Sequence, residues 1–303
     1  MAIPPFEESI LSNVTGYPLS QLEAISAKVD QYYYIFPISK GKTNKRWINA
    51  PRKELKHIQS QILHQILYQA PVHHVAHGFV PNRSIVTNAR PHIGQKWVAN
   101  FDIHSFFPST KTTAVYNTIQ RHFSFSEEKT TLITKLCTKA GELPQGAPTS
   151  PHIANLVMWD ADTQLETYAT DNALVYTRYA DDLTFSGSDI PPSIRNDIAA
   201  IINKYGYSLA HHKSKILGQH KRQMVTGLVV NEKLNLPRPI RKRLRAIVHD
   251  IQSNGAQHAL SRSTMNLEQI IGRIALQYMW DRDQAEAQLM ELAYALQLIP
   301  SDR

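Results

Sequence analysis

Two adjacent aspartates, Asp181 and Asp182, interrupt an apolar, aromatic and β-branched run between Tyr176 and Ser186. The flanking residues favour two short strands, with the aspartates in the turn that joins them. Neighbouring carboxylates repel each other, and burying either of them is costly unless a cation compensates its charge. Divalent metal ions held by carboxylates are such cations, and phosphoryl-transfer sites use them. The alternative is a solvated Asp-Asp turn in an ordinary hairpin.

A third aspartate lies in a similar apolar setting earlier in the chain. Asp102 ends the apolar stretch that begins at Trp97, and the aromatic pair Phe106 and Phe107 follows it. A lone buried aspartate usually accepts structural hydrogen bonds. If its strand lies beside the strands of the Asp-Asp turn, Asp102 instead completes a carboxylate cluster for two metal ions.

Composition limits the class of protein. The 303 residues suffice for a large core and for two or three subdomains. The single cysteine, Cys137, excludes an internal disulfide and a cysteine-based zinc cage. No apolar run approaches the roughly 20 residues of a membrane span, and the first residues lack the pattern of a secretory signal. We therefore expect a cytoplasmic protein without a membrane partner. The net charge of +8 favours polyanionic partners.

The first third of the chain contains a basic hairpin and an amphipathic helix. Basic residues crowd a glycine between Lys40 and Ile48, which predicts either a hairpin that closes over a triphosphate or a plain solvated one. Apolar residues at helical spacing between Arg52 and Leu67 predict a helix packed on a core. Nearby histidines lack carboxylate or cysteine partners at regular spacing, so we expect no metal role for His57, His64, His73, His74 and His77.

Two later segments have distinct characters. Three prolines and one glycine between Leu143 and Pro151 predict a rigid loop. The amino end of the helix after it is either an ordinary helix cap or a site that favours an anion. From Pro237 onward an apolar stripe at helical spacing predicts a helix with one buried face. Its opposite face either contacts a nucleic-acid backbone or is simply solvated, and it carries Arg238, Arg241, Lys242, Arg243 and Arg245. The rest of the chain predicts two more helices.

Together these stretches resemble the palm motifs of reverse transcriptases. Asp102 before an aromatic pair, the Leu143–Pro151 loop and the Tyr-Ala-Asp-Asp sequence ending at Asp182 occur in the order and spacing of that family. Two further stretches are similar to hallmarks of its retron group. Residues 88–92, Asn-Ala-Arg-Pro-His, match the pattern NAxxH, and residues 225–227 match VTG. The sequence is therefore identified as that of a retron-type reverse transcriptase.

The resemblance implies an α+β architecture. This is the right-hand polymerase fold, with fingers, a palm of antiparallel sheet and helices, and a helical thumb. The implied division is fingers 1–77, palm 78–109, fingers 110–147, palm 148–228 and thumb 229–303.

The resemblance also implies residue roles. Two Mg²⁺ ions are bound by Asp102, Asp181 and Asp182 with the carbonyl of Ile103. The incoming dNTP is contacted by Arg46 with Lys40 or Lys42, by Gln145, and by Phe107 as a steric gate against a ribose 2′-hydroxyl. Lys213, with Lys215 as the alternative, protonates the pyrophosphate. The nucleic acid is contacted by Asn88, His92, Val225, Thr226, Gly227, Arg238, Arg241, Lys242 and Arg245.

The implied function follows from what retron enzymes do as a family. They bind a cognate structured non-coding RNA, prime from the 2′-hydroxyl of a guanosine in it, and copy part of it into DNA, which leaves a branched RNA–DNA hybrid. Expected partners are that RNA, the hybrid, dNTPs, a separately encoded effector protein in anti-phage defence, and a host RNase H. The alternative is mainly a scaffold or antitoxin-like subunit that holds the hybrid and restrains the effector. The three intact aspartates favour catalysis.

Overall fold

The structure is a computed structural model that describes residues 9–40 and 44–298. The α-helices of these residues are α1 Ser9–Thr15, α2 Leu19–Ala27, α3 Lys53–Gln65, α4 Ile85–Ala89, α5 Phe106–Ser109, α6 Thr112–Phe123, α7 Glu127–Cys137, α8 Ser150–Val157, α9 Trp159–Asp171, α10 Ile194–Asn203, α11 Arg238–Asn254, α12 Ala256–Arg262, α13 Leu267–Gln277 and α14 Arg282–Ala295.

The strands of the described residues form three separate sheets. They are β1 Tyr33–Lys40, β2 Asn44–Pro51, β3 Trp97–Asp102, β4 Val175–Tyr179, β5 Asp182–Gly187, β6 Lys215–Gly218, β7 Met224–Val225 and β8 Leu228–Val229. β1 and β2 form the predicted basic hairpin, whose residues 41–43 lie outside the described part. The order β4-β5-β3-β6 makes a four-stranded sheet, and β7 pairs with β8.

The chain divides into two compact units. Unit 1 comprises Met1–Arg83 and Ala99–Ile216, and unit 2 comprises Ser84–Val98 and Leu217–Arg303, within the limits of the described residues. Each unit has its own apolar core. The division of the chain into fingers, palm and thumb stays a prediction.

The core of unit 1 forms as the apolar spacing predicts. Leu55, Ile58 and Ile62 recur at helical spacing and are fully buried on α3. On the sheet, the Phe185 ring stacks on Tyr176 at 4.6 Å between centroids and meets Phe101 edge-on at 6.1 Å. Aromatic pairs of this geometry add to the stability that area burial alone provides. These rings therefore pack together the three strands β3, β4 and β5 that adjoin the aspartates.

Unit 2 is mainly helical. Leu244, Ile247 and Ile251 form the predicted buried stripe of α11. α13 and α14 are the two further predicted helices, and α12 was not predicted. Gly255, with φ of +84°, separates α11 from α12, and this left-handed conformation favours glycine. Among the described helices, we find none whose length and apolar content would let it cross a bilayer.

Candidate active site

The Asp-Asp motif forms a tight turn between β4 and β5. Tyr179 lies opposite Asp182 in the antiparallel register, so Ala180 and Asp181 are the two residues of the turn. Ala180 has a φ of +56°, a left-handed conformation that is costly for a residue with a Cβ atom. The prediction of two short strands joined by an acidic turn is confirmed, and the turn is strained.

Backbone hydrogen bonds fix Asp102 beside this turn. The Ile103 amide donates to the Asp181 carbonyl at 2.9 Å, and the Ala210 amide donates to the Asp102 carbonyl at 2.7 Å. Asp102 and Asp181 consequently line one cavity of about 630 Å³. The third aspartate, Asp182, has an exposed side chain and is not part of the cavity lining.

The two carboxylates of the cavity favour the binding of a cation. Burial raises the pKa of the Asp181 carboxyl above its ordinary value, and the charge of Asp102 adds to that rise. The Lys213 ammonium donates to Asp102 Oδ1 at 2.5 Å and partly offsets this repulsion. Two desolvated carboxylates with hard oxygen donors suit a divalent cation such as Mg²⁺. In the described part of the chain, however, the ligand atoms of the three aspartates do not all lie within 4.8 Å of one another.

The residues predicted to contact the nucleotide line the same cavity. Arg46, Phe107 and Gln145 lie on its wall together with Lys213, and Lys215 does not. The Phe107 ring is half-buried, with its centroid 5.5 Å from that of Phe106. Of the two other bases predicted to act with Arg46, residue 42 and the side chain of residue 40 lie outside what the structure describes.

A glycine docks the proline-rich loop against the hairpin. The Asn49 amide donates to the Gln145 carbonyl at 2.8 Å. Gly146 has a φ of +132°, and a Cβ atom there would lie 2.8 Å from the Asn49 carbonyl oxygen. Since β2 also carries Arg46, the close approach that Gly146 permits places Gln145 and Arg46 on one cavity wall.

A buried arginine donates a hydrogen bond to the turn of the Asp-Asp motif. Arg178 is fully buried and makes a bidentate pair with the equally buried Asp162 of α9, at 2.8 and 2.6 Å. Its guanidinium also donates to the Ala180 carbonyl at 3.1 Å and to Asn155 Oδ1 at 2.9 Å. Arg178 thus connects the buried ion pair to the carbonyl of Ala180, the strained residue of the turn.

The residues around Gly78 complete this support. Asn155 Nδ2 donates to the Gly78 carbonyl at 2.9 Å. A Cβ atom on Gly78 would lie 2.5 Å from the Ala180 amide nitrogen, so only glycine allows this approach. The sequence did not predict the roles of four residues of this network, namely Arg178, Asp162, Asn155 and Gly78. The single available signal was a charged residue, Arg178, inside an otherwise apolar strand.

The comparisons with known proteins agree with this arrangement. The reverse transcriptase family (RNA-dependent DNA polymerase) matches residues 38–230, most of the chain. The chain is a reverse transcriptase. Its right-hand polymerase fold and its RNA-directed DNA polymerase activity are those of the family, and the family also implies dependence on a divalent metal, generally Mg²⁺.

Curated relatives place the reverse transcriptase in the retron group. The retron Ec86 reverse transcriptase of Escherichia coli is 34% identical over 246 residues, which cover 80% of this chain and 77% of that protein. The retron Mx162 reverse transcriptase of Myxococcus xanthus is 32% identical over 322 residues, 93% of this chain and 65% of that protein. Among solved structures, the apo telomerase from Candida tropicalis has a TM-score of 0.49 and 12% identity, with 96% of this chain and 63% of that chain covered.

The two retron hallmarks of this reverse transcriptase lie together in unit 2. α4, which carries Asn88, packs against β7 and β8, and the Thr226 hydroxyl donates to the Ile85 carbonyl at 2.8 Å. Thr226 and Gly227 both have positive φ, as a two-residue hairpin turn requires. This association was not predicted, because 141 residues separate Ile85 from Thr226.

Burial restricts what these hallmarks present to a nucleic acid. Asn88, His92 and Val225 are each 0% exposed. In this conformation their side chains are not accessible to a nucleic acid, whereas Thr226 and Gly227 lie at the hairpin turn. The contact of these five residues with nucleic acid stays a prediction. We expect the buried residues to hold that turn in place.

The predicted basic face of α11 is present in the reverse transcriptase. Arg238, Lys242 and Arg245 are exposed, and Arg241 is half-buried. Among the ion pairs of the described residues, none joins a base of α11 to a carboxylate within 4.0 Å. A helix face with several uncompensated positive charges is suited to a phosphate backbone.

Proposed function

We propose that this reverse transcriptase binds a cognate structured non-coding RNA, primes from the 2′-hydroxyl of a guanosine in it, and copies part of it into DNA. The product is a branched RNA–DNA hybrid. The observation that carries the proposal is the cavity that unites Asp102 and Asp181 with residues suited to hold a nucleotide. Similarity to retron reverse transcriptases supports the choice of RNA as both template and primer.

The reaction is nucleotidyl transfer with two Mg²⁺ ions. Bound ions of this kind activate the primer hydroxyl and stabilise the departing pyrophosphate. Asp102 and Asp181, with the Ile103 carbonyl, would hold them. Asp182 would join through a change of side-chain conformation, because its carboxylate lies outside the cavity lining.

The other cavity residues position the nucleotide. Arg46 contacts its phosphates from the hairpin, and Gln145 contacts it from the docked loop. Lys213 Nζ lies 2.5 Å from Asp102 Oδ1 on the wall of the cavity, where its ammonium group can donate a proton to the departing pyrophosphate.

Phe107 acts as the gate against ribonucleotides. We expect Phe107→Val to reduce discrimination between dNTPs and rNTPs by about 10–200-fold, the range in which a change of pocket volume acts. Single-nucleotide incorporation with each substrate measures the ratio of kcat/KM values. Phe36→Val, an exposed ring on β1, is the control and should leave the ratio unchanged. An unchanged ratio for Phe107→Val as well would contradict the assignment.

The exposed face of α11 binds the RNA backbone. We expect the triple replacement of Arg241, Lys242 and Arg245 by Gln to weaken RNA binding. It should also flatten the plot of log affinity against log salt concentration by about 2–3, since each lost phosphate contact removes about 0.7–0.9 from the slope.

A control variant with the same loss of charge tests whether the effect comes from the contact of α11 with RNA or from the lower net charge of the protein. Lys28, Lys53 and Lys56 are exposed lysines of unit 1, and replacing all three by Gln removes the same number of charges. We expect that variant to keep most of the salt dependence. Equal slopes for wild type and the α11 variant would show that the RNA binds elsewhere.

The proposal includes further partners. The RNA–DNA hybrid stays bound to the enzyme, a host RNase H removes template RNA, and a separately encoded effector acts with the complex in anti-phage defence.

The proposal also includes the division of the chain into the parts of a right-hand polymerase. These are fingers 1–77 and 110–147, palm 78–109 and 148–228, and thumb 229–303.

The proposed polymerisation is tested by DNA synthesis on RNA. The purified chain, supplied with a primed RNA template, dNTPs and Mg²⁺, should synthesise DNA and should stop when a chelator is added. Synthesis that continues without a divalent metal would contradict the proposed mechanism.

A further inference from the structure

Two adjacent histidines meet a distant glutamate in unit 1. His74 Nε2 lies 2.6 Å from Glu166 Oε1, and His73 Nε2 lies 3.7 Å from Glu166 Oε2. The ligand atoms of all three residues lie within 4.8 Å of one another, which holds for no other trio of His, Cys, Asp or Glu in the described ranges. Glu166 follows His74 by 92 residues, so spacing in the sequence could not indicate this cluster.

His73 is a buried imidazole with unmet bonding capacity. His73 is 6% exposed, and its Nδ1 has no hydrogen-bond partner. Its Nε2 faces Glu166 at a distance too long for a hydrogen bond. The Nε2 atom thus points at the Glu166 carboxylate from a distance that leaves room for a shared cation.

Aromatic contacts hold the ring in place. His74 stacks on His73 with 4.7 Å between centroids, and the Trp159 ring meets His73 edge-on at 5.2 Å. An imidazole that is fixed in this way loses little further side-chain entropy when it binds a ligand.

The donor set selects a class of metal. Two imidazole nitrogens and one carboxylate suit Zn²⁺, whereas Mg²⁺ prefers oxygen donors throughout. In a tetrahedral zinc site the ligand atoms are about 3.3 Å apart, from bond lengths of about 2.0–2.1 Å. The observed separations of 2.6 and 3.7 Å lie on either side of this value. The exposed side of His74 leaves a fourth position open to water.

We propose that His73, His74 and Glu166 bind one Zn²⁺ ion. The loop that carries both histidines continues into Ala76, which bridges Arg178 in parallel, and Glu166 lies one helical turn after Asp162 on α9. The ion therefore joins the two segments that hold Arg178 beneath the catalytic turn. Its role is to stabilise this part of unit 1, and the site is chemically distinct from the carboxylate cavity.

Metal titration of the full chain tests the site. The protein is stripped with EDTA, exchanged into buffer with excess Mg²⁺ to occupy the carboxylates, and titrated with Zn²⁺ in a calorimeter. We expect one ion per chain and a higher unfolding temperature. Co²⁺ should show the visible d–d bands of a tetrahedral site. His74→Ala and Glu166→Gln, both at accessible side chains, should each weaken Zn²⁺ binding more than about 100-fold, since even an outer partner contributes about 10–100-fold.

An exposed histidine outside the cluster provides the control. His57→Ala removes an imidazole on α3 and should bind Zn²⁺ like the wild type. Three results would overturn the proposal. These are no Zn²⁺ uptake by the wild type, unchanged affinity in both His74→Ala and Glu166→Gln, or loss of Zn²⁺ binding in Asp102→Asn but not in the cluster variants.

Discussion

Asp181→Asn abolishes DNA synthesis, with a loss of at least about 10³-fold, and leaves RNA binding nearly unchanged. The reason for the loss is that the variant lacks a carboxylate at the position where the transition-state charge is compensated. Asp182→Asn should have the same effect, because the proposed two-metal site includes Asp182. Primer extension with Mg²⁺ and an RNA-binding assay measure the two properties. Extension at the wild-type level by either variant would contradict the two-metal proposal. If the protein were only a scaffold, the variants and the wild type would behave alike in both assays.

The same substitution should not destabilise the metal-free protein. Because the folded-state pKa of Asp181 is raised, its protonated form contributes stability below the unfolded pKa, and this contribution is lost as the pH rises through the folded pKa. At pH 7 the ionised carboxylate is therefore a cost that Asn removes. We expect Asp181→Asn to unfold at equal or higher denaturant concentration, with the difference shrinking towards about pH 4. Asp171→Asn, at an exposed aspartate of α9, is the control.

Arg178→Met destabilises unit 1 by about 3–5 kcal/mol, because it leaves the buried Asp162 carboxylate without its cation. Denaturant unfolding measures this difference. The matched control is Arg121→Met, which breaks the exposed pair of Arg121 with Asp160 at 2.8 Å and should cost no more than about 1 kcal/mol. Equal costs at the two sites would contradict the account of the buried pair.

A double variant separates stability from positioning. Arg178→Met with Asp162→Leu removes both buried charges, and such exchanges are often neutral or stabilising. We expect much of the lost stability to return. DNA synthesis should stay low in kcat with little change in KM, because the Ala180 carbonyl still lacks its donor. Full recovery of kcat together with stability would reduce Arg178 to a structural role.

Local patterns predicted the elements that carry the chemistry. The β-branched and aromatic residues around the Asp-Asp pair were sufficient to predict β4, the turn and β5. Helical spacing of apolar residues predicted α3 and the buried stripe of α11. The resemblance to reverse transcriptases implied roles at one site for Asp102, Phe107 and Gln145, and the structure places all three on the wall of one cavity.

Long-range polar contacts were beyond prediction from the sequence. A charged residue in a strand is normally exposed, and only the fold reveals that Arg178 faces Asp162 across the sheet and α9. The segment of residues 207–210 is irregular, since Leu209 forms only an isolated bridge with Ile103. The Ala210 amide donates to the Asp102 carbonyl, so this irregular segment helps to fix the position of Asp102.

The most direct test of the proposed function is the chemical structure of the nucleic acid that copurifies with the wild-type chain. The RNA–DNA product is isolated, trimmed with ribonuclease, and sequenced before and after treatment with a debranching enzyme. The account predicts DNA joined covalently through a 2′,5′ linkage to a single guanosine of one RNA. Linear cDNA alone, with no such branch, would contradict it.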